Sequence, residues 1–148
     1  ARAKLRLFAH DANPRRMTDL PERAKRAGAR ITLTDRPDAE APFDLILVDA
    51  PCSGSGSWRR DPEGKWKITP EALSRIEDTQ AAILDRVAPM VRRGGVLAYA
   101  TCSLLARENV NQVRAFLDRH PGWRLEREIT LNPLQEGDGF YLALINGK

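Results

Sequence analysis

Phe43–Asp49, FDLILVD, runs directly into Ala50-Pro51-Cys52-Ser53-Gly54-Ser55-Gly56, and the fold turns on this stretch. Leu45, Ile46, Leu47 and Val48 follow one another without a polar break. An unbroken apolar run of this length predicts a strand covered on both faces, as in parallel sheets. The Pro-Cys-Ser-Gly-Ser-Gly loop can neither extend a strand nor start a stable helix. Working outward, the same reading predicts strands at Lys4–Ala9, Arg30–Thr34, Val96–Thr101, Trp123–Ile129 and Phe140–Ile145. Helices are predicted between most of them. One opens at Asn13-Pro14, carries Met17, Leu20, Ala24 and Ala27 on one face, kinks at Pro21 and stops at Gly28. A long one opens at Thr69-Pro70-Glu71. Its apolar stripe runs through Leu73, Ile76, Ile83, Leu84, Val87 and Val91, with Gln80 the odd polar member; Pro89 bends its last turn and Gly94-Gly95 end it. A third covers Ala106–Arg119. Alternating strands and helices argue an α/β fold, a mostly parallel sheet with helices on both faces. The last two strands have no helix between them, so at least one is expected to run antiparallel.

The chain has 148 residues, 42% of them hydrophobic and 30% charged. That is enough for one domain or a large piece of one. No stretch approaches the roughly 20 apolar residues needed to span a bilayer. The first residues lack the apolar core of a signal peptide. A cytoplasmic protein with reduced thiols is the expectation, with no membrane partner. The two cysteines, Cys52 and Cys102, are too far apart to form a compact metal motif by themselves, so no metal is expected. The net charge is +4, carried entirely by residues 1–75, with 15 Lys and Arg against 11 Asp and Glu. This mild basic bias is compatible with nucleic acid without requiring it.

In parallel α/β sheets the chemistry sits beyond the carboxyl ends of the strands. Asp11, Asp35, Asp49 and Cys102 all stand at such ends. Asp49 and Cys52 flank a glycine-bearing loop, where a planar ligand could approach the backbone closely. Cys102 in Thr101-Cys102-Ser103 leaves a buried strand at the same edge. It could be a nucleophile in its thiolate form or simply a small buried hydrophobe. The segment from Trp58 to Lys67 reads as a loop offering Arg59, Arg60, Lys65 and Lys67 to phosphates and Trp58 and Trp66 to bases.

Taken together, LILVDAPCSGSGSWRRDPEGKWKITPEAL, ILDRVAPMVRRGG, VLAYATCSLLARENVNQV and DGFYLALI closely resemble the RNA 5-methylcytosine methyltransferases of the RsmB (Sun/Fmu) type. The likeness is most specific from Asp44 to Val113. It implies a Rossmann-like class I fold dependent on S-adenosyl-L-methionine (SAM), with residues 1–148 the C-terminal part of the catalytic domain. The family's first strand and glycine-rich loop would then precede residue 1, and a chain without them is expected to bind SAM weakly or not at all. That missing strand lies, in the family, between those ending at Asp11 and Asp49. Both strands should therefore show an open edge, unless they pair directly, a second chain fills the gap or, as favoured, a preceding piece does.

The resemblance also implies chemistry. A thiolate adds to cytosine C6 and makes C5 nucleophilic enough to take the SAM methyl group. Cys102 of the Thr-Cys-Ser motif would be the nucleophile, Cys52 of the Pro-Cys-Ser motif would assist product release, and Asp49 would bond the cytosine edge near N3 and help hold the cofactor. DNA cytosine methyltransferases use a Pro-Cys cysteine for attack, and only the family likeness ranks Cys102 first. Asp11 matches the acid that binds the SAM ribose hydroxyls and Asp35 the acid near its adenine. The substrate implied is ribosomal RNA; transfer RNA, or a non-catalytic module that binds RNA or a partner, are the alternatives. Both thiols should be reduced and face one cleft, with a gap between nucleophile and carboxylate for a flipped base.

Overall fold

The structure is a computed structural model, and it describes residues 5–135 and 137–147. The chain resolves into two compact units, one up to Ala41 and one from Pro42 onward. In the first, β1 (Leu7–Ala9) pairs in parallel with β2 (Ile31–Leu33). Lys4, expected to open β1, lies outside the described residues. Asn13 caps a short 3-10 turn at Pro14–Met17, its side chain accepting from the Arg15 N–H. The chain then breaks and α1 begins afresh at Leu20–Arg26, with Pro21 in its first turn. The expected kink is instead a helix start, because a first-turn proline gives up an N–H that has no partner there anyway. Gly28 ends α1 with φ +65°.

The second unit contains a four-stranded sheet in the order β3-β4-β6-β5: β3 Phe43–Asp49, β4 Val91–Thr101, β5 Trp123–Leu131 and β6 Phe140–Gly147. β3 and β4 are parallel, and β6 runs antiparallel to both β4 and β5, as expected of the last strands. Thr69 caps α3 (Pro70–Val87) by accepting from the Ala72 N–H at 3.2 Å, and α4 is Val110–Arg119. Three assignments change. The helix expected over Ala106–Arg119 divides at Asn109 into a 3-10 turn at Ala106–Glu108 and α4. Val91 opens β4 rather than closing α3; a 3-10 turn at Ala88–Met90 intervenes, and the Gly94-Gly95 pair, Gly94 at φ +69°, sits in a register shift of β4. The segment expected as a loop holds a short helix, α2 (Pro62–Lys67), capped by Asp61 and opened by proline.

α3 and α4 close over one face of this sheet. Leu84, Leu97, Phe116, Ala143 and Ile145 are fully buried there, with Tyr99, Val113 and Val48 around them. The expectation that β3 is covered on both faces fails. It pairs with β4 alone, and on the face away from Val48, Leu45 is 57% and Leu47 61% exposed. Nor does β1 pair directly with β3, since each bonds only within its own sheet among the described residues.

At the far end of α3, Asp85 accepts from both Arg119 (2.9 Å) and His120 (2.8 Å) of the α4 terminus. Partial burial alone would raise the carboxyl, but these two partners win and hold it below its ordinary value of 3.8. A depressed folded-state pKa contributes stability that is complete above the unfolded value and vanishes as pH falls through the folded one. The difference in melting temperature between wild type and Asp85→Asn should therefore be present at neutral pH and close up below about pH 4. Thermal melts across that range check it. A gap that persists in acid would assign Asp85 a role other than ion pairing.

Candidate active site

Parallel pairing of β3 with β4 aligns Asp49 with Ala100, and the Ala50 N–H donates to the Ala100 carbonyl at 2.9 Å. Both strands thus release their next residues at one edge. The Cys52 and Cys102 sulfurs meet there at 3.3 Å, as free thiols, each partly buried. They were expected at one edge, and they are; they are also in mutual contact. Burial, and next the hydrogen bond with Cys102, push the Cys52 thiol up to about 12. At neutral pH Cys52 keeps its proton and can donate it to the Cys102 sulfur. Asp49 is exposed at the end of β3, on the face opposite Val48.

The glycines act differently from expectation. Gly56 admits a close approach, but of the chain itself rather than a ligand. Its N–H donates to the Cys102 carbonyl and its own carbonyl accepts from Gly139, both at 2.9 Å. A Cβ there would lie 2.2 Å from the Gly139 oxygen. The Pro-Cys-Ser-Gly-Ser-Gly loop is therefore welded to the Thr-Cys-Ser loop through backbone. Gly54, at φ +69°, supplies the left-handed step into the turn.

Beneath the thiols lies a polar cluster that the sequence reading passed over. Glu108, fully buried, accepts from the Ser53 N–H (2.7 Å), from the Ser53 and Ser103 hydroxyls, and from the Gln80 amide (3.2 Å). Its backbone carbonyl accepts from the Tyr99 hydroxyl at 2.7 Å. Burial, then the Glu108 charge, push Tyr99 far up, so its hydroxyl keeps the proton that it donates here. Asn109 ties Thr101 to the Ser103 carbonyl. The signal available in the sequence was Gln80, a polar residue in the middle of an apolar helix stripe.

Asp11 and Asp35 lie in the first unit, each two residues beyond the end of its strand, and the Ala9–Leu33 register puts them at the same edge of that small sheet. Asp11 spends one oxygen on the Asn13 N–H (2.8 Å) and has Arg16 3.6 Å from the other. Asp35 is exposed. The Trp58–Lys67 segment divides. Trp58 is partly buried, Arg60 is paired with Asp138 and Lys67 with Glu63, while Trp66 is 82% exposed with Lys65 over its ring. Among the described residues no helix is long and apolar enough to cross a membrane, and no metal-ligand cluster of three or more His, Cys, Asp or Glu is present.

The chain is 37% identical over 160 aligned positions to the ribosomal RNA small subunit methyltransferase B of Yersinia pseudotuberculosis. The match covers 98% of this chain and 37% of that protein, so the chain spans little more than a third of the relative's length. The crystal structure of NSun6 from Pyrococcus horikoshii with SFG superposes with a TM-score of 0.83 at 26% identity, covering 96% of this chain and 41% of that one. A methyltransferase homologue from the same organism superposes at TM-score 0.80 and 23% identity, over 97% of this chain and 53% of that one, and shows the Rossmann-like methyltransferase fold. The profile of the 16S rRNA methyltransferase RsmB/F family matches residues 1–145, and the chain belongs to that family.

Proposed function

We propose that the chain is part of the catalytic domain of an enzyme that methylates cytosine C5 in ribosomal RNA of the small subunit, in the cytoplasm, through a covalent bond between Cys102 and cytosine C6. The observation that carries this reading is the pair of thiols in contact at the carboxyl edge of β3 and β4, beside Asp49. The donor set suits SAM: Asp11 and Asp35 share one sheet edge, where two carboxylates could take a ribose diol and an adenine amine. When bound, SAM supplies an electrophilic methyl group.

The residues then divide the work. The Cys102 thiolate forms a bond to C6, and the displaced π electrons make C5 nucleophilic. Asp49 holds the base edge near N3. After methylation a base removes the C5 proton, that electron pair restores the C5–C6 double bond, and the Cys102 sulfur leaves. Cys52, protonated and in contact with that sulfur, donates to the departing thiolate and so favours release. Trp66 and Lys65 offer an exposed ring and a cation to unpaired RNA.

The test is methyl transfer from labelled SAM by the intact protein. Small-subunit ribosomal RNA lacking modifications should be labelled at cytosine C5, with transfer RNA labelled far less. Labelling of transfer RNA alone would move the substrate, and labelling of neither would leave a binding module.

A further inference from the structure

Glu108 is the one fully buried acid among the described residues of the second unit, and no step above uses it. It sits where the two cysteine loops meet. One carboxylate oxygen takes the Ser53 N–H and the Gln80 amide, and the other takes the hydroxyls of Ser53 and Ser103. Ser53 follows Cys52 and Ser103 follows Cys102. The Gln80 amide also holds the Pro51 carbonyl, at 2.9 Å, on the other side of Cys52. We infer that Glu108 is the positioning residue that fixes the spacing of the two thiols, by binding the neighbour of each to one carboxylate.

The hydrogen-bond directions make this specific to a carboxylate. A carboxylate accepts and never donates, so both hydroxyls must point their protons at it. Ser103 then has its lone pairs free to accept from the Leu105 N–H at 3.0 Å and from the Ser55 hydroxyl at 2.9 Å. Ser55 in turn accepts from the Leu104 N–H at 2.8 Å. One acceptor-only group at the end of the chain orients every hydroxyl along it. An amide in its place would present N–H groups to Ser53 and Ser103. Both hydroxyls would have to reverse, leaving the Ser53 and Ser55 protons without their present acceptors.

This inference rests on the proposed function for its catalytic consequence but not for its geometry, and the experiment separates the two. Diamide takes two protons and two electrons from a pair of thiols, forming one disulfide and a hydrazine. The rate of Cys52–Cys102 closure, read by mass spectrometry on the intact folded protein, therefore reports thiol spacing without any RNA or SAM. E108Q should slow closure by roughly tenfold or more, as expected when reacting atoms drift by an ångström. It should lower kcat for methyl transfer by a similar factor while leaving KM for RNA within about twofold. If E108Q does not fold, Gln80→Leu, which removes the amide shared by Glu108 and Pro51, should slow closure in the same way. Closure at the wild-type rate in a folded variant would overturn the inference, because a residue that merely supports the fold leaves the folded fraction unchanged in reactivity. Slowed closure in a protein that never methylates RNA would uphold the clamp and discard the proposed function.

Discussion

Cys102→Ala should abolish covalent trapping of the intact protein on RNA carrying 5-fluorocytosine, and Cys52→Ala should not. Fluorine cannot leave C5 as a proton does, so any sulfur that has added to C6 stays bound and the adduct survives denaturing gels. Two thiols 3.3 Å apart are both near enough for either to be the attacker. The family likeness ranks Cys102 first, and the surroundings of Cys52 agree: burial, and next its hydrogen bond with Cys102, push the Cys52 thiol up and so work against the thiolate that attack needs. Removing the attacking group of a covalent mechanism costs about 10⁴-fold or more in rate. Ordinary RNA distinguishes the second role. There Cys52→Ala should accumulate a protein–RNA adduct, because attack proceeds but the departing Cys102 sulfur has lost the S–H donor beside it. Trapping that survives Cys102→Ala and disappears with Cys52→Ala would reverse the assignment, giving this chain the Pro-Cys chemistry of DNA methyltransferases.

Such an assignment was available from the sequence only by resemblance, whereas the succession of strands and helices along the chain came from the residues themselves. Phe43–Asp49 was legible to the residue because an apolar run ending in Asp and Pro has no other local solution. Its burial was not. Leu45 and Leu47 look like any covered strand, and exposure depends on what lies against the strand, which its own residues do not encode. Val91 was misplaced for a related reason: it follows a helix at helical spacing, and only pairing with Phe43 pulls it into β4. Pro21 and Pro62 could have been read correctly, since proline favours the first helical turn in both. Glu108 could not. A lone acid at Ala106–Glu108 resembles a solvated turn residue until Ser53, 55 positions earlier, closes over it.

Gly56→Ala should be the most damaging single methyl group in the chain. The added carbon would sit 2.2 Å from the Gly139 oxygen, 2.7 Å from its carbonyl carbon and 2.9 Å from the Cys102 oxygen. All three are backbone atoms, so no flexible side-chain tip can swing aside. The loops must part, and parting breaks the two hydrogen bonds that dock them, Gly56 N–H to Cys102 and Gly139 N–H to Gly56. Overpacking costs about 1–3 kcal/mol and each lost bond about 1 kcal/mol, for a total of about 3–5 kcal/mol. In a chain of this size that lowers the melting temperature by roughly 10 °C or more. Gly122→Ala is the matched control: a Cβ there meets nothing within 4 Å, and the expected change is within about 0.5 kcal/mol. The same separation carries the Cys102 carbonyl away from its partner, so any Gly56→Ala protein that still folds should also close the Cys52–Cys102 disulfide slowly. Thermal melts of the two glycine variants beside wild type decide the matter. Equal melting temperatures would mean that the cysteine loops are not docked through Gly56, and the contact between the thiols would lose its structural basis.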